Sequence, residues 1–144
     1  WRAPKPAVGL AVIGLLGLAS YQAIDRPPSY AAASTAGIPL PCGNPAVVDG
    51  DTLRCGGVRV RLSGIDAPEL PGHCRTGRDC APGDPFASTD NLRRLVGRAS
   101  LTCVQTDTDR YGRAVASCSA EGRDLSCEQL AGGYAIARYG PLVC

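Results

Sequence analysis

The sequence predicts a mainly β fold with two helices, in which five short strands curl into a barrel stapled by disulfides. Three observations carry that expectation. Val58, Val60 and Leu62 alternate with Arg59, Arg61 and Ser63, the period of two that marks a half-buried strand. Strand-like and helix-like stretches follow one another as three strands, a helix, two strands and a helix. The chain also carries eight cysteines, all from Cys42 onward and none in a Cys-x-x-Cys pair. That pattern speaks for disulfides in an oxidising compartment and against a zinc ribbon.

Taken in order, the chain opens with Arg2 and Lys5 and then an unbroken apolar run from Ala7 to Ala19. A basic start, a run of this length and small residues behind it read as a signal peptide or short membrane anchor over residues 1–24. Residues 25–41 are rich in Ala, Ser and Pro, and Pro27-Pro28 and Pro39 to Pro41 argue against regular structure. They are expected to be a linker, with the folded domain spanning 42–144.

Ala46 to Val48 and Thr52 to Cys55 read as strands meeting at Asp49-Gly50-Asp51. Gly56-Gly57 is a two-residue hairpin signal, and Val58 to Leu62 returns. Gly64 to Glu69 turns, and Pro71 to Pro85 is a loop with Cys74, Cys80 and the sole histidine, His73, expected to be solvated. Asp84-Pro85 is a helix start, cap then Pro at the first turn. Leu92, Leu95, Val96 and Ala99 share one helical face. Leu101 to Val104 and Ala114 to Cys118 are two more strands. Asp124 caps a second helix ending at Gly132-Gly133, and Tyr134 to Cys144 is expected to be irregular. This order fits a five-stranded barrel of the oligonucleotide-binding (OB) type with helices packed against it.

Residues 42–144 hold twelve Arg, no Lys and twelve acids. A neutral domain argues against gripping nucleic acid through bulk charge but permits a local basic cleft. Asp51 and Asp66 fall at the ends of neighbouring strands, where two carboxylates would offer hard oxygen ligands suited to calcium or magnesium. Glu69 follows across Ala67-Pro68, placed to orient or deprotonate a water. Arg61 lies between the acids, and guanidinium forks suit phosphate oxygens. Gly112 permits a tight turn that points Arg113 back. Each residue alone reads better as a turn, cap or ion pair; their concentration at strand ends is the signal.

At these residues the chain resembles the staphylococcal-nuclease-like (thermonuclease) family. The pieces are Asp49-Gly50-Asp51-Thr52, Arg61-Leu62, Asp66-Ala67-Pro68-Glu69 and Asp109-Arg110-Tyr111-Gly112-Arg113, matching in order and spacing over roughly Ala46 to Tyr139. The resemblance implies an exported, calcium-dependent nuclease acting on DNA and RNA, preferably single-stranded, and leaving 3′-phosphate products. It implies Asp51, Asp66 and the backbone carbonyl of Ala67 as calcium ligands. Glu69 would activate water, Arg61 and Arg113 would hold the scissile phosphate, and Arg110, Tyr111 and Tyr139 would contact substrate. A monomer in the periplasm or outside the cell, tethered or released by the leader, completes the expectation. The alternative is a catalytically weak nucleic-acid-binding module of the envelope; a purely structural disulfide domain leaves the charged cluster unexplained. The chain stops soon after Tyr139, where the family continues into a helix, and the cysteines are expected to supply the missing stability. The pairing expected is sequential: Cys42–Cys55, Cys74–Cys80, Cys103–Cys118 and Cys127–Cys144. Of these, Cys103–Cys118 is best supported, because its cysteines flank a hairpin.

Overall fold

The computed structural model describes residues 37–144. The expected leader and most of the expected linker lie outside the described residues. Five strands form the body of one curled sheet: β2 (Pro45–Asp49), β3 (Thr52–Cys55), β4 (Val58–Leu62), β6 (Leu101–Thr108) and β7 (Ala114–Ala120). Their order is β6-β7-β4-β3-β2, antiparallel throughout except where β4 runs parallel to β7. These are the five strands read from the sequence. The sheet curls into a half-barrel of the OB type, with α1 (Pro85–Val96) and α2 (Leu125–Ala131) packed on it.

Four further strands extend this plan. β1 (Ile38–Cys42) pairs with β6 along the outer edge, so regular structure starts inside the stretch expected to be linker. Pro39 and Pro41 fit there because they alternate. Both missing N–H groups fall on the side facing away from β6, where an edge strand has no ladder partner. β8 (Arg123–Asp124) pairs with β7. β5 (Ile65–Asp66) and β9 (Ile136–Ala137) form a separate two-stranded ladder, so the tail expected to be irregular contributes a strand. That ladder matters most for the site, since it carries residue 138 to Asp66.

The core follows the sequence pattern. Val60 and Leu62 of β4 are fully buried against Leu53, Ile65, Leu92 and Leu125, whereas Val58, next to the hairpin turn, is half exposed. In α1, Leu92 and Val96 are buried and Leu95 packs at the margin, while Ala99, expected on the same helical face, also packs there but lies beyond the helix end at Gly97. Asp84 caps this helix, accepting hydrogen bonds from the Phe86 and Ala87 amides with Pro85 in the first turn. Asp124 caps α2 through the Cys127 amide. Among the described residues aromatic side chains take no part in the buried core, whose hydrophobic members are Leu, Val, Ile, Ala and Cys.

The disulfides join the cysteines in sequence order: Cys42–Cys55, Cys74–Cys80, Cys103–Cys118 and Cys127–Cys144. Cys103 and Cys118 stand directly opposite on β6 and β7. Cys127–Cys144 ties the C-terminal segment to α2, and each such link restricts the unfolded chain by about 2–4 kcal/mol. Among the described residues no helix is long and apolar enough to cross a membrane.

Candidate active site

The Asp49-Gly50-Asp51 turn closes the β2–β3 hairpin. Asp49 Oδ1 accepts from the Asp51 amide at 3.1 Å, a local bond that short Asp side chains favour in turns. Gly50 is required by crowding, because a side chain there would run into Ser88 of α1. The turn is also held from below by Gln129 of α2, which is fully buried. Gln129 Nε2 donates to the Gly50 carbonyl at 2.7 Å and to the Ser88 carbonyl at 3.1 Å, while its Oε1 accepts from Asn91 at 2.5 Å. Both helices therefore set the position of Asp51.

Asp51 and Asp66 are buried and converge. Asp51 Oδ1 accepts from Thr52 Oγ1 at 3.0 Å, and Oδ2 accepts from the Ala67 amide at 3.0 Å. Between the two carboxylates sits Nη2 of Arg61, 3.0 Å from Asp51 Oδ2 and 2.7 Å from Asp66 Oδ1. Arg61 thus occupies the point that the sequence reading assigned to a cation, instead of facing the acids across a gap. Asp66 is further paired with Arg78 at 2.9 Å and with Arg138 at 3.0 Å. Glu69 is paired with Arg78 at 2.5 Å.

Arg113 turns back as the glycine predicted, with Gly112 at φ +76°. Its Nε donates to Asp109 Oδ2 at 2.7 Å, and Asp109 Oδ1 accepts from the Tyr111 and Arg113 amides. Arg61, Glu69, Arg110, Tyr111 and Arg113, with Asp51 and Ala67, line one cleft of about 770 Å³. Asp66 lies beneath its floor. Tyr139 borders an adjoining hollow shared by Arg61, Arg78 and Arg113, and the Arg61 guanidinium stands 5.3 Å from its ring centre. His73 is exposed, as expected of a loop residue, but lies on the cleft rim.

Burial pushes the Asp51 carboxyl up to about 6, and the nearby Arg61 charge offsets only part of that cost. For Arg61 burial works against the charge, yet Asp51 and Asp66 outweigh it and raise its pKa. Burial would likewise raise Asp109, but hydrogen bonds from the Arg113 amide and guanidinium and from the Tyr111 amide hold it below the usual carboxylate range. Asp51 is therefore short of positive charge with Arg61 in place. Two converging buried carboxylates of which one lacks compensation are a hard-oxygen donor set that fits a divalent cation. With its folded pKa raised above the ordinary 3.8, Asp51 takes up a proton more readily when folded. In chelator, this group favours folding at low pH and loses that contribution as pH rises through about 6. Urea denaturation of wild type and Asp51→Asn is expected to show wild type losing stability relative to the variant over that interval.

Sequence reading missed Arg78 and Arg138 at this site, and Gln129 beneath it. A visible hint for Arg78 was its place between Cys74 and Cys80. Arg138 and Gln129 had none, because β9 and α2 reach the site only through long-range packing.

The sequence model of the family described as staphylococcal nuclease homologue matches residues 59–141. The Asp49–Thr52 turn lies just ahead of that match. A succinoglycan biosynthesis protein, ExoI, of Rhizobium meliloti (strain 1021) is 35% identical over 99 residues, covering 67% of this chain and 51% of the relative. The chain thus spans about half the length of that curated relative. With the family match running over more than half of its residues and its half-barrel agreeing, the chain belongs to the staphylococcal nuclease homologue family.

Proposed function

We propose that the chain is an exported, calcium-dependent nuclease that hydrolyses single-stranded DNA and RNA and leaves 3′-phosphate ends. The observation that carries this reading is the convergence of Asp51, Arg61, Glu69 and Arg113 on one cleft, with Asp66 against Arg61 under its floor. Asp51, Asp66 and the Ala67 carbonyl are the groups that would hold calcium, which when bound supplies positive charge to a phosphoryl oxygen. Glu69 accepts the proton of the attacking water. Arg61 and Arg113 bind non-bridging oxygens and offset the charge that develops on them. The new bond joins water oxygen to phosphorus, the bond to O5′ breaks, and that oxygen takes a proton from solvent water to leave as a hydroxyl. These roles require exchanges of partner: Arg61 must leave the two acids, Arg78 must leave Glu69, and Arg113 must share itself with Asp109. An incoming phosphate and cation supply the replacement charges. The four disulfides support action in an oxidising compartment, where such links persist. The leader would deliver the chain there, as a monomer tethered or released.

One observation favours a second reading. Three guanidinium groups already neutralise Asp66 from within the chain, as suits a nucleic-acid-binding module of the envelope with little turnover. The two separate in one assay. Oxidised protein given labelled single-stranded DNA is expected to cleave it with calcium and to lose at least about 10²-fold in rate in chelator. Binding without cleavage in calcium would favour the module, and neither binding nor cleavage would remove both.

A further inference from the structure

The loop closed by Cys74–Cys80 belongs to none of the four motif pieces, yet it forms one wall of the cleft. Within it the Arg78 amide donates to the Arg75 carbonyl at 3.0 Å, a tight turn that fixes the two arginines relative to each other. They reach different partners. Arg78 reaches Glu69 and Asp66. Arg75 reaches Tyr111, its Nη1 lying 3.4 Å from the Tyr111 Oη.

Around the Tyr111 ring three guanidinium carbons gather, those of Arg75, Arg110 and Arg113, at 5.4, 4.9 and 5.5 Å from its centre. Arg113 has Asp109 as counter-charge. Among the described residues neither Arg75 nor Arg110 forms an ion pair. Like charges held this close repel one another, and an anion among them relieves that repulsion. Hydrogen bonding and charge from Arg110, with further charge from Arg75, also lower the Tyr111 phenol from its ordinary pKa. In a domain with equal numbers of Arg and acids, two uncompensated guanidinium groups beside an exposed aromatic ring are a local feature that bulk charge does not explain.

We propose that the disulfide-closed loop is a strand-binding arm: beside Arg110 and Tyr111, the substrate contacts that the resemblance already implies, Arg75 adds a further group for the backbone phosphate next to the one addressed by Arg61 and Arg113. This rests on the cleft being a nucleic-acid site, but it does not rest on turnover. The ring closed by Cys74 and Cys80 presets the arm, so less freedom is lost when a strand binds. Arg78 anchors the arm at the acidic end.

The test is binding of a fluorescein-labelled oligothymidylate of about eight nucleotides, in chelator, over a series of sodium chloride concentrations. Arg75→Ala is expected to weaken binding about 3- to 10-fold at low salt and to reduce the slope of log affinity against log salt by about 0.7, the value for one lost phosphate contact on a single strand. Arg98→Ala, an equal loss of charge at an exposed position outside the cleft, is expected to leave the slope unchanged. Arg75→Ala binding like wild type would overturn the proposal. An equal loss in Arg98→Ala, or no binding by wild type, would do so as well. Binding that depends on Arg75 in a protein inert with calcium would sink the nuclease reading alone and leave the arm standing.

Discussion

Glu69→Gln is expected to leave the chain folded and able to hold single-stranded DNA while lowering calcium-dependent turnover by about 10²- to 10⁴-fold. Glu69 is partly exposed and makes one strong contact, to Arg78 at 2.5 Å. A glutamine has the same length and can still accept that bond through its carbonyl oxygen. What it cannot do is take a proton from water. The change therefore separates packing from chemistry. Single-turnover cleavage and anisotropy binding, run on the same preparation, check it. Turnover at the wild-type rate would take water activation away from Glu69. A parallel loss of binding would mean that the residue positions Arg78 and is not itself the base.

Asp66→Asn is expected to cost about 3 kcal/mol of folding stability and to remove the calcium response. Asp66 is fully buried and receives Arg61, Arg78 and Arg138 at 2.7, 2.9 and 3.0 Å. The amide keeps the shape but loses the charge, so three cations are left around a neutral group. One of its two heads also becomes a donor facing a donor. Breaking one side of a buried ionic cluster costs more than the cluster contributes, because the remaining charges stay desolvated. Part of the loss is moderated because Arg78 and Arg138 keep some solvent access. Urea denaturation in chelator reads the stability term, and calorimetric titration with calcium reads the second. Unchanged stability would show that the three arginines relax into water without penalty, and an unchanged calcium affinity would exclude Asp66 as a ligand.

The two variants probe different layers of one site. Glu69 stands at the accessible wall and Asp66 at the floor. Arg78 pairs with both, so a change at one carboxylate is felt at the other. On the proposed reading, a phosphate that drew Arg78 off Glu69 would free that carboxylate and loosen Asp66 together. Arg138 ties the same carboxylate to Asp79 of the disulfide-closed loop, which links the arm to the floor.

Much of this architecture was legible in the residues. Alternation in Val58–Leu62, the glycine pair before it and the caps at Asp84 and Asp124 are local signals, and local chemistry decides them. The disulfides follow the sequential order for a related reason: each joins residues that a hairpin, a short loop or a helix and its tail already bring close. Both edge features were less visible. Pro39 and Pro41 usually oppose a strand, and only the position of β1 at the margin of the sheet makes them harmless. The strand at Ile136–Ala137 is two residues long, too short for any periodicity to show.

By itself the sequence determined which residues carry charge at the strand ends, that the core is aliphatic, and which family the motif pieces resemble. The tertiary structure decided how those charges pair. It placed Arg61 between two carboxylates, recruited Arg78 and Arg138 to Asp66, and set Gln129 beneath the Asp-Gly-Asp turn. These partners lie up to 79 residues apart, and no local pattern records them. The reason is that a buried charge must be compensated by whichever group the fold brings within hydrogen-bonding distance, and that group is selected by sheet register and helix packing, not by neighbourhood along the chain.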